Sequence, residues 1–138
     1  MSKVSILGKD YFYNESEVIS FSEGLIGLPE MRRAALIPMT DYQPFYWLAS
    51  LDDEKTRFIV VNPQRIFSEY QPDVPKELRE ISNSSISSQT ILTIVKISSE
   101  WEKTTVNLRA PIFINEETKH GAQFVLNDSN YQLAETIP

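Results

Sequence analysis

Hydrophobic and polar positions alternate along this chain in short runs, and turn-forming residues interrupt them at intervals of roughly 8 to 12 residues. The runs are rich in β-branched and aromatic side chains, which favour strands. Amphipathic helices do not separate them, so the pattern predicts an all-β fold rather than an α/β fold. The predicted strands are Val4–Leu7, Tyr11–Tyr13, Val18–Phe21, Ala35–Pro38, Phe45–Leu51, Arg57–Asn62, Thr90–Ile97, Thr104–Asn115 and His120–Leu126.

The clearest alternation lies in the predicted strand at 104–115. Every even position from 106 to 114 is apolar, whereas Asn107 and Arg109 occupy the opposite phase. One face of the strand is therefore predicted to lie in the core and the other in solvent. Pro111 cannot donate a ladder hydrogen bond, which predicts an edge strand or a bulge. The same phase directs Phe113 away from the core and makes it a candidate contact residue.

One short helix is predicted, beginning at Asp73 or Val74 and ending at Ile81, with Pro75 in its first turn. Proline suits that position because its missing N–H would have no partner there. The following segment, Ser82–Ser88, is polar and is interpreted as a loop.

The segment Gly24–Pro29 is predicted to form a tight turn that carries Leu25 and Ile26 into a hydrophobic pocket. Its two glycines tolerate positive φ. A phosphate-binding loop would need a lysine and more glycines, and only four glycines exist in the whole chain.

The densest aromatic cluster is Pro44–Leu48. Strand alternation places Phe45 and Trp47 on one face and Tyr46 with Leu48 on the other. Two interpretations stay open, a fully buried strand or a strand from which one aromatic reaches an interface. Tyr46 is the candidate for such a contact.

Length and charge limit the range of functions. The 138 residues fit one domain, 1–138, and 13 basic against 19 acidic residues give a formal net charge of −6. The only adjacent basic pair is Arg32-Arg33, so direct nucleic-acid binding is not expected. An acidic protein instead attracts basic protein surfaces. The chain has no cysteine, and we expect a cytoplasmic protein with no export signal and no membrane insertion.

The sequence shows no set of residues suited to catalysis. His120 is the only histidine, and a lone imidazole makes neither a metal site nor a catalytic triad. The acidic pairs Asp52-Asp53 and Glu116-Glu117 are adjacent in sequence, so their members diverge rather than facing across a cleft. We predict no enzyme activity, no cofactor, no metal and no small-molecule substrate.

The segment Asn127–Tyr131 follows the last predicted strand and is rich in residues that hydrogen-bond their own backbone. It is interpreted as an Asx or serine turn. Such a turn would also present Tyr131 to a partner.

Five segments together resemble the FliW family of flagellar assembly factors, in order and with similar spacing. The similarity covers nearly the whole chain, and five blocks in sequence are more specific than any one. The segments are Phe21–Glu30, Pro44–Ser50, Phe58–Pro63, Asn107–Asn115 and Gln123–Tyr131.

The resemblance implies a compact β-barrel-like domain and a role in regulating flagellin supply. FliW proteins bind the RNA-binding translational repressor CsrA and relieve its repression of flagellin mRNA, and they also bind flagellin. The antagonism is regarded as allosteric, so RNA and the FliW protein would weaken each other's binding reciprocally.

We expect the docking surface to lie along the outward side of 107–115 and the turn that follows the last strand. Its candidate residues are Tyr46, Asn107, Arg109, Phe113, Asn115, Asn127, Ser129 and Tyr131.

Two other classes fit the sequence less well. An OB-like barrel binding single-stranded nucleic acid agrees with the length and strand count but lacks a basic groove. A hydrolase using paired carboxylates would require a bell-shaped dependence of rate on pH.

Overall fold

The computed structural model describes residues 1–73, 76, 89–127 and 130–138. Within these ranges the chain forms eleven strands joined by turns and short 3₁₀ segments. The strands are β1 (Ser2–Ile6), β2 (Lys9–Tyr13), β3 (Ile19–Ser20), β4 (Arg33–Pro38), β5 (Tyr46–Ser50), β6 (Arg57–Val61), β7 (Gln89–Lys96), β8 (Thr105–Val106), β9 (Ile112–Asn115), β10 (Gly121–Gln123) and β11 (Glu135–Thr136).

Most strands belong to one antiparallel sheet in the order β10-β9-β7-β6-β5-β4-β3, to which β8 and β11 are attached beside β7. The two ends of this order meet at one isolated bridge between Ser20 and His120. The Ser20 N–H donates to the Lys119 carbonyl over 2.8 Å. The sheet is therefore barrel-like in its curvature, but a single bridge does not close it.

The first core cluster lies on one face of the curved sheet. It includes Leu48, Val60 and Ile112, each fully buried, and extends to the loop residues Phe21 and Met31. Leu48, Val60 and Ile112 come from three different strands, so this face holds the sheet together through contacts distant in sequence.

The opposite face is also covered. The β1–β2 hairpin packs Val4 and Ile6 against Ala35, Ile37 and Ala49. Farther along the same face, Tyr70 and Leu108 pack with Val61, Val95 and Val106 in another buried cluster. A sheet covered on both sides buries consecutive residues of its central strands.

The all-β class is confirmed, and every predicted strand segment contains a strand. The predicted strand Thr104–Asn115, however, is divided into β8 and β9. Leu92 of β7 pairs with Ile112 of β9, and Val95 of β7 pairs with Val106 of β8. The segment from Val106 to Ile112 is therefore longer than the part of β7 that it faces. The extra residues form an inserted turn that ends beside Pro111, which has no N–H to donate to a ladder.

The predicted helix that begins at Asp73 or Val74 and the loop Ser82–Ser88 lie outside the described residues, apart from Asp73 and Lys76.

Candidate functional site

The inserted turn between β8 and β9 is held by its own asparagine. The Asn107 Oδ1 accepts hydrogen bonds from the N–H of Arg109 over 3.2 Å and from that of Ala110 over 3.0 Å. A side chain that accepts from the backbone two and three residues ahead fixes a tight turn. Asn107 and Arg109 remain half-exposed on the outer side, while Leu108 and Ala110 are buried.

Two other segments clamp this turn from both sides. The Gln132 carbonyl accepts from the N–H groups of Leu108 and Arg109 over 3.0 and 3.1 Å. On the other side the Leu126 N–H donates to the Arg109 carbonyl over 2.7 Å, and the Arg109 Nε donates to the Leu126 carbonyl over 3.4 Å. Arg109 is therefore held next to Asn127, which is exposed.

Tyr131 reaches the same turn through a pair of tyrosines. Its ring meets the Tyr70 ring edge-on with centroids 4.8 Å apart, and its hydroxyl accepts from the Gln71 N–H over 3.4 Å. The buried Tyr70 hydroxyl donates to the Leu108 carbonyl over 2.7 Å. Tyr131 is thus half-buried. It packs on Tyr70, which bonds the inner side of the inserted turn, and part of Tyr131 reaches the surface.

Burial, and secondarily the nearby Tyr131, raises the pKa of Tyr70 above its usual 10.0. Because the folded state disfavours the phenolate, this group adds stability that is fully present below pH 10 and is lost as pH rises beyond it. We expect stability to fall above pH 10 by up to about 1.4 kcal/mol per pH unit from this group. Urea unfolding between pH 8 and 11 measures the slope.

Tyr70→Phe is the matched variant for that measurement. It keeps the ring but leaves the Leu108 carbonyl without its donor, so we expect a loss of about 1–3 kcal/mol at neutral pH. Above pH 10 its stability should fall less steeply than that of the parent protein. Equal slopes in the two proteins would contradict the role of Tyr70.

The prediction that Phe113 points outward is wrong. Its side chain is 0% exposed, and its ring meets the Phe124 ring edge-on at 6.1 Å. Phe113 lies opposite Ile91 of β7 and Ala122 of β10. The prediction assumed that one face of the strand is exposed to solvent, but all four residues of β9 are buried. Phe113 is a core residue and not a surface contact.

Asn115 is also buried, at 4% exposure, although its phase predicted an outward position. Its Oδ1 accepts from the N–H groups of Glu117 and Thr118 over 2.9 and 3.1 Å, which shapes the β9–β10 turn. That structural use of the side chain explains why a polar residue lies inside. His120, at the end of this turn, is exposed.

Tyr46 lies apart from the inserted turn. Alternation in β5 is as predicted: Tyr46 and Leu48 contact the first core cluster, whereas Trp47 packs under the β1–β2 hairpin and Phe45 joins the cluster around Tyr70. Tyr46 is half-exposed at the open end of the sheet. The candidate residues therefore do not form one surface. Asn107, Arg109, Asn127 and Tyr131 lie together at the inserted turn, and Tyr46 lies elsewhere. Phe113 and Asn115 are buried, and Ser129 lies outside the described residues.

Sequence reasoning missed an exposed apolar residue at the Gly24–Pro29 turn. Leu25 is buried as predicted, but Ile26 is 54% exposed, which corrects the expectation that both enter a pocket. Leu25 and Leu28 exchange backbone hydrogen bonds of 3.1 and 2.8 Å, which leaves Ile26 and Gly27 at the tip. When the two residues that flank a two-residue tip are hydrogen-bonded to each other, the side chains of the tip point away from the core.

Gln123 connects that tip to the inserted turn. Its Oε1 accepts from the Ile26 N–H over 2.9 Å and its Nε2 donates to the Ala110 carbonyl over 3.0 Å. Val125, two residues further on, is 57% exposed. Ile26 and Val125 thus add apolar area to the polar residues Asn107, Arg109 and Asn127. We call these five residues together the turn surface.

In the described ranges the structure contains no group of three or more His, Cys, Asp or Glu that could hold a metal ion. Across the same residues no helix has the length and apolar character needed to cross a membrane.

Comparison with known proteins identifies a family. The family model described as "FliW protein" matches residues 8–137. "Flagellar assembly factor FliW" of Clostridium beijerinckii is 31% identical over 140 residues, covering 99% of this chain and 98% of the relative. The protein of the same name from Thermosipho africanus is 36% identical over 124 residues, covering 87% and 84% respectively.

A solved structure with a similar fold agrees with this. It is described as "Crystal structure of the flagellar assembly factor FliW" and superposes with a TM-score of 0.89, covering 99% of this chain and 98% of its own at 24% identity. That likeness supports the fold, and the family model together with the curated relatives supplies the assignment. The chain belongs to the FliW family of flagellar assembly factors.

Proposed function

We propose that this protein binds the translational repressor CsrA in the cytoplasm and prevents it from silencing flagellin mRNA, and that it also binds flagellin in a partner-switching circuit. The observation that carries the proposal is membership of the FliW family over residues 8–137. When flagellin is exported, the freed protein would relieve repression and flagellin synthesis would resume.

The charge balance supports binding to a basic partner. The net charge of −6 creates a field that accelerates encounter with a basic RNA-binding protein. Such steering weakens as salt screens the charges over about 8 Å at physiological ionic strength. The field increases the association rate but does not provide specificity, so the complex also needs local contacts.

The turn surface supplies suitable contacts. Its backbone is fixed by the hydrogen bonds to Gln132, Leu126 and Asn107 described above, so little conformational entropy is lost when a partner docks there. It combines the exposed apolar side chains of Ile26 and Val125 with the polar groups of Asn107, Arg109 and Asn127. We propose that CsrA docks on this surface, with Tyr131 supporting it from beneath.

Arg109→Glu tests the surface. We expect it to weaken CsrA binding by at least about tenfold in isothermal titration calorimetry, because it removes a positioned guanidinium at the centre of the surface. Adding the parent protein to a CsrA complex with labelled flagellin leader RNA should release RNA, and Arg109→Glu should do so less effectively.

Lys55→Glu is the charge-matched control, at the exposed turn between β5 and β6. Both variants make the net charge more negative by two, so their long-range fields are alike and only the local contact differs. Lys55→Glu should bind CsrA as the parent protein does. Equal affinities of the two variants would remove CsrA docking from the turn surface, and failure of the parent protein to bind either CsrA or flagellin would overturn the proposed function itself.

A further inference from the structure

A cavity of about 520 Å³ opens at one end of the curved sheet, near the bridge between Ser20 and His120. Four side chains from different strands form its apolar wall: Ile19, Leu36, Tyr46 and Ile114. This volume lies within the range of about 300–1,000 Å³ that small-molecule sites occupy.

The cavity adjoins the first core cluster, because its wall residues Ile19 and Ile114 belong to that cluster. Phe21, Met31, Leu48 and Leu92 are buried in the same cluster and do not line the cavity. Its other two apolar wall residues, Leu36 and Tyr46, pack against the same cluster but are only partly buried. The mouths of β-barrels are common places for ligand sites.

The rim of the cavity carries charge. The Lys119 Nζ pairs with the Glu17 Oε2 over 3.4 Å, and the Thr90 hydroxyl hydrogen-bonds the Glu116 Oε1. The rim has the two carboxylates of Glu17 and Glu116 and the one ammonium of Lys119, so its net charge is negative. Among the described residues no side chain bonds the other carboxylate oxygens, Glu17 Oε1 and Glu116 Oε2. These two atoms therefore remain available to a donor.

We propose that this cavity binds a small amphipathic amine, whose apolar group fills the space between Ile19, Leu36 and Ile114 and whose ammonium lies at the Glu17 and Glu116 rim. The Tyr46 ring in the wall adds an aromatic surface that favours a cation. The site is separate from the turn surface and does not depend on the proposed partners.

Two probes of matched size and opposite charge test the chemistry: 2-phenylethylammonium and phenylacetate. We expect the ammonium to shift the ¹H–¹⁵N amide resonances of Ile19, Tyr46 and Ile114 with millimolar affinity, and phenylacetate to bind at least about threefold more weakly. Shifts confined to residues outside the cavity, equal affinity for the two probes, or no shifts with either probe would overturn the proposal.

Variants of the rim and the wall make the test specific. The double variant Glu17→Gln with Glu116→Gln leaves Lys119 as the rim charge, so the preference should invert in favour of phenylacetate. Leu36→Phe should fill space and reduce binding of both probes while the protein stays folded. The control pair Glu100→Gln with Glu102→Gln, at an exposed 3₁₀ turn, should keep the parent preference; loss of the preference in this control would contradict local recognition at the rim.

Discussion

Phe113→Ala should lower the free energy of unfolding by about 3–5 kcal/mol. The ring is 0% exposed, packs edge-on with Phe124 at 6.1 Å, and lies between β7 and β10. Truncation removes the transfer free energy of the ring and leaves a cavity among strands that pair on both sides. Urea unfolding monitored by tryptophan fluorescence measures the difference.

Val125→Ala is the matched control for that truncation. Val125 is 57% exposed on the segment that follows β10, so its loss should change stability by less than about 0.5 kcal/mol. If Phe113→Ala were also within about 1 kcal/mol of the parent protein, the assignment of Phe113 to the core would be contradicted.

The burial of Phe113 also determines how binding should be studied. A charged substitution there would unfold the protein before it reported on an interface, because an unpaired buried carboxylate is strongly unfavourable. Loss of CsrA binding in such a variant would carry no information about contact. Arg109 is the better position, because its side chain is half-exposed and its backbone bonds survive the substitution.

Strand alternation and turn residues predicted most of the fold. The even positions from 106 to 114 are buried as predicted, and Pro111 marks the interruption between β8 and β9. Tyr46 and Trp47 fall on opposite faces for the same reason. These predictions succeeded because the period of two is a local property of the chain.

The errors arose where a covering layer or the hydrogen bonds of a turn decide burial. Nothing near Phe113 in the sequence indicates that Phe124 covers it, and Asn115 is buried because it bonds the backbone of the next turn. Ile26 is exposed because Leu25 pairs with Leu28. Alternation predicts which residues share a face but not whether another layer covers that face. Pro111 predicted an edge strand or a bulge; β9 is paired on both sides, so the bulge alternative fits the inserted turn. The sequence did not predict the clamp of that turn by Gln132.

Gly24→Ala should lower the free energy of unfolding by about 3 kcal/mol, from backbone strain and steric overlap together. Gly24 has φ of +68°, and a Cβ there would lie 2.4 Å from the Leu28 carbonyl oxygen and 2.6 Å from Pro29 Cα. Both contacts are with backbone that the Leu25–Leu28 pairing holds in place, so neither can move cheaply. The resulting shift would also disturb the packing of Leu25, which is 4% exposed.

Gly27→Ala separates the two causes, because Gly27 also has positive φ, at +81°, but a Cβ there meets nothing within 4 Å. The free energy of unfolding of this variant should fall only by the cost of the backbone strain, about 1–2 kcal/mol. Thermal and urea unfolding of the two variants should therefore rank Gly24→Ala as clearly the less stable. Equal losses would mean that backbone conformation alone explains both glycines, and that the close approach of Gly24 to Leu28 and Pro29 contributes nothing to the fold.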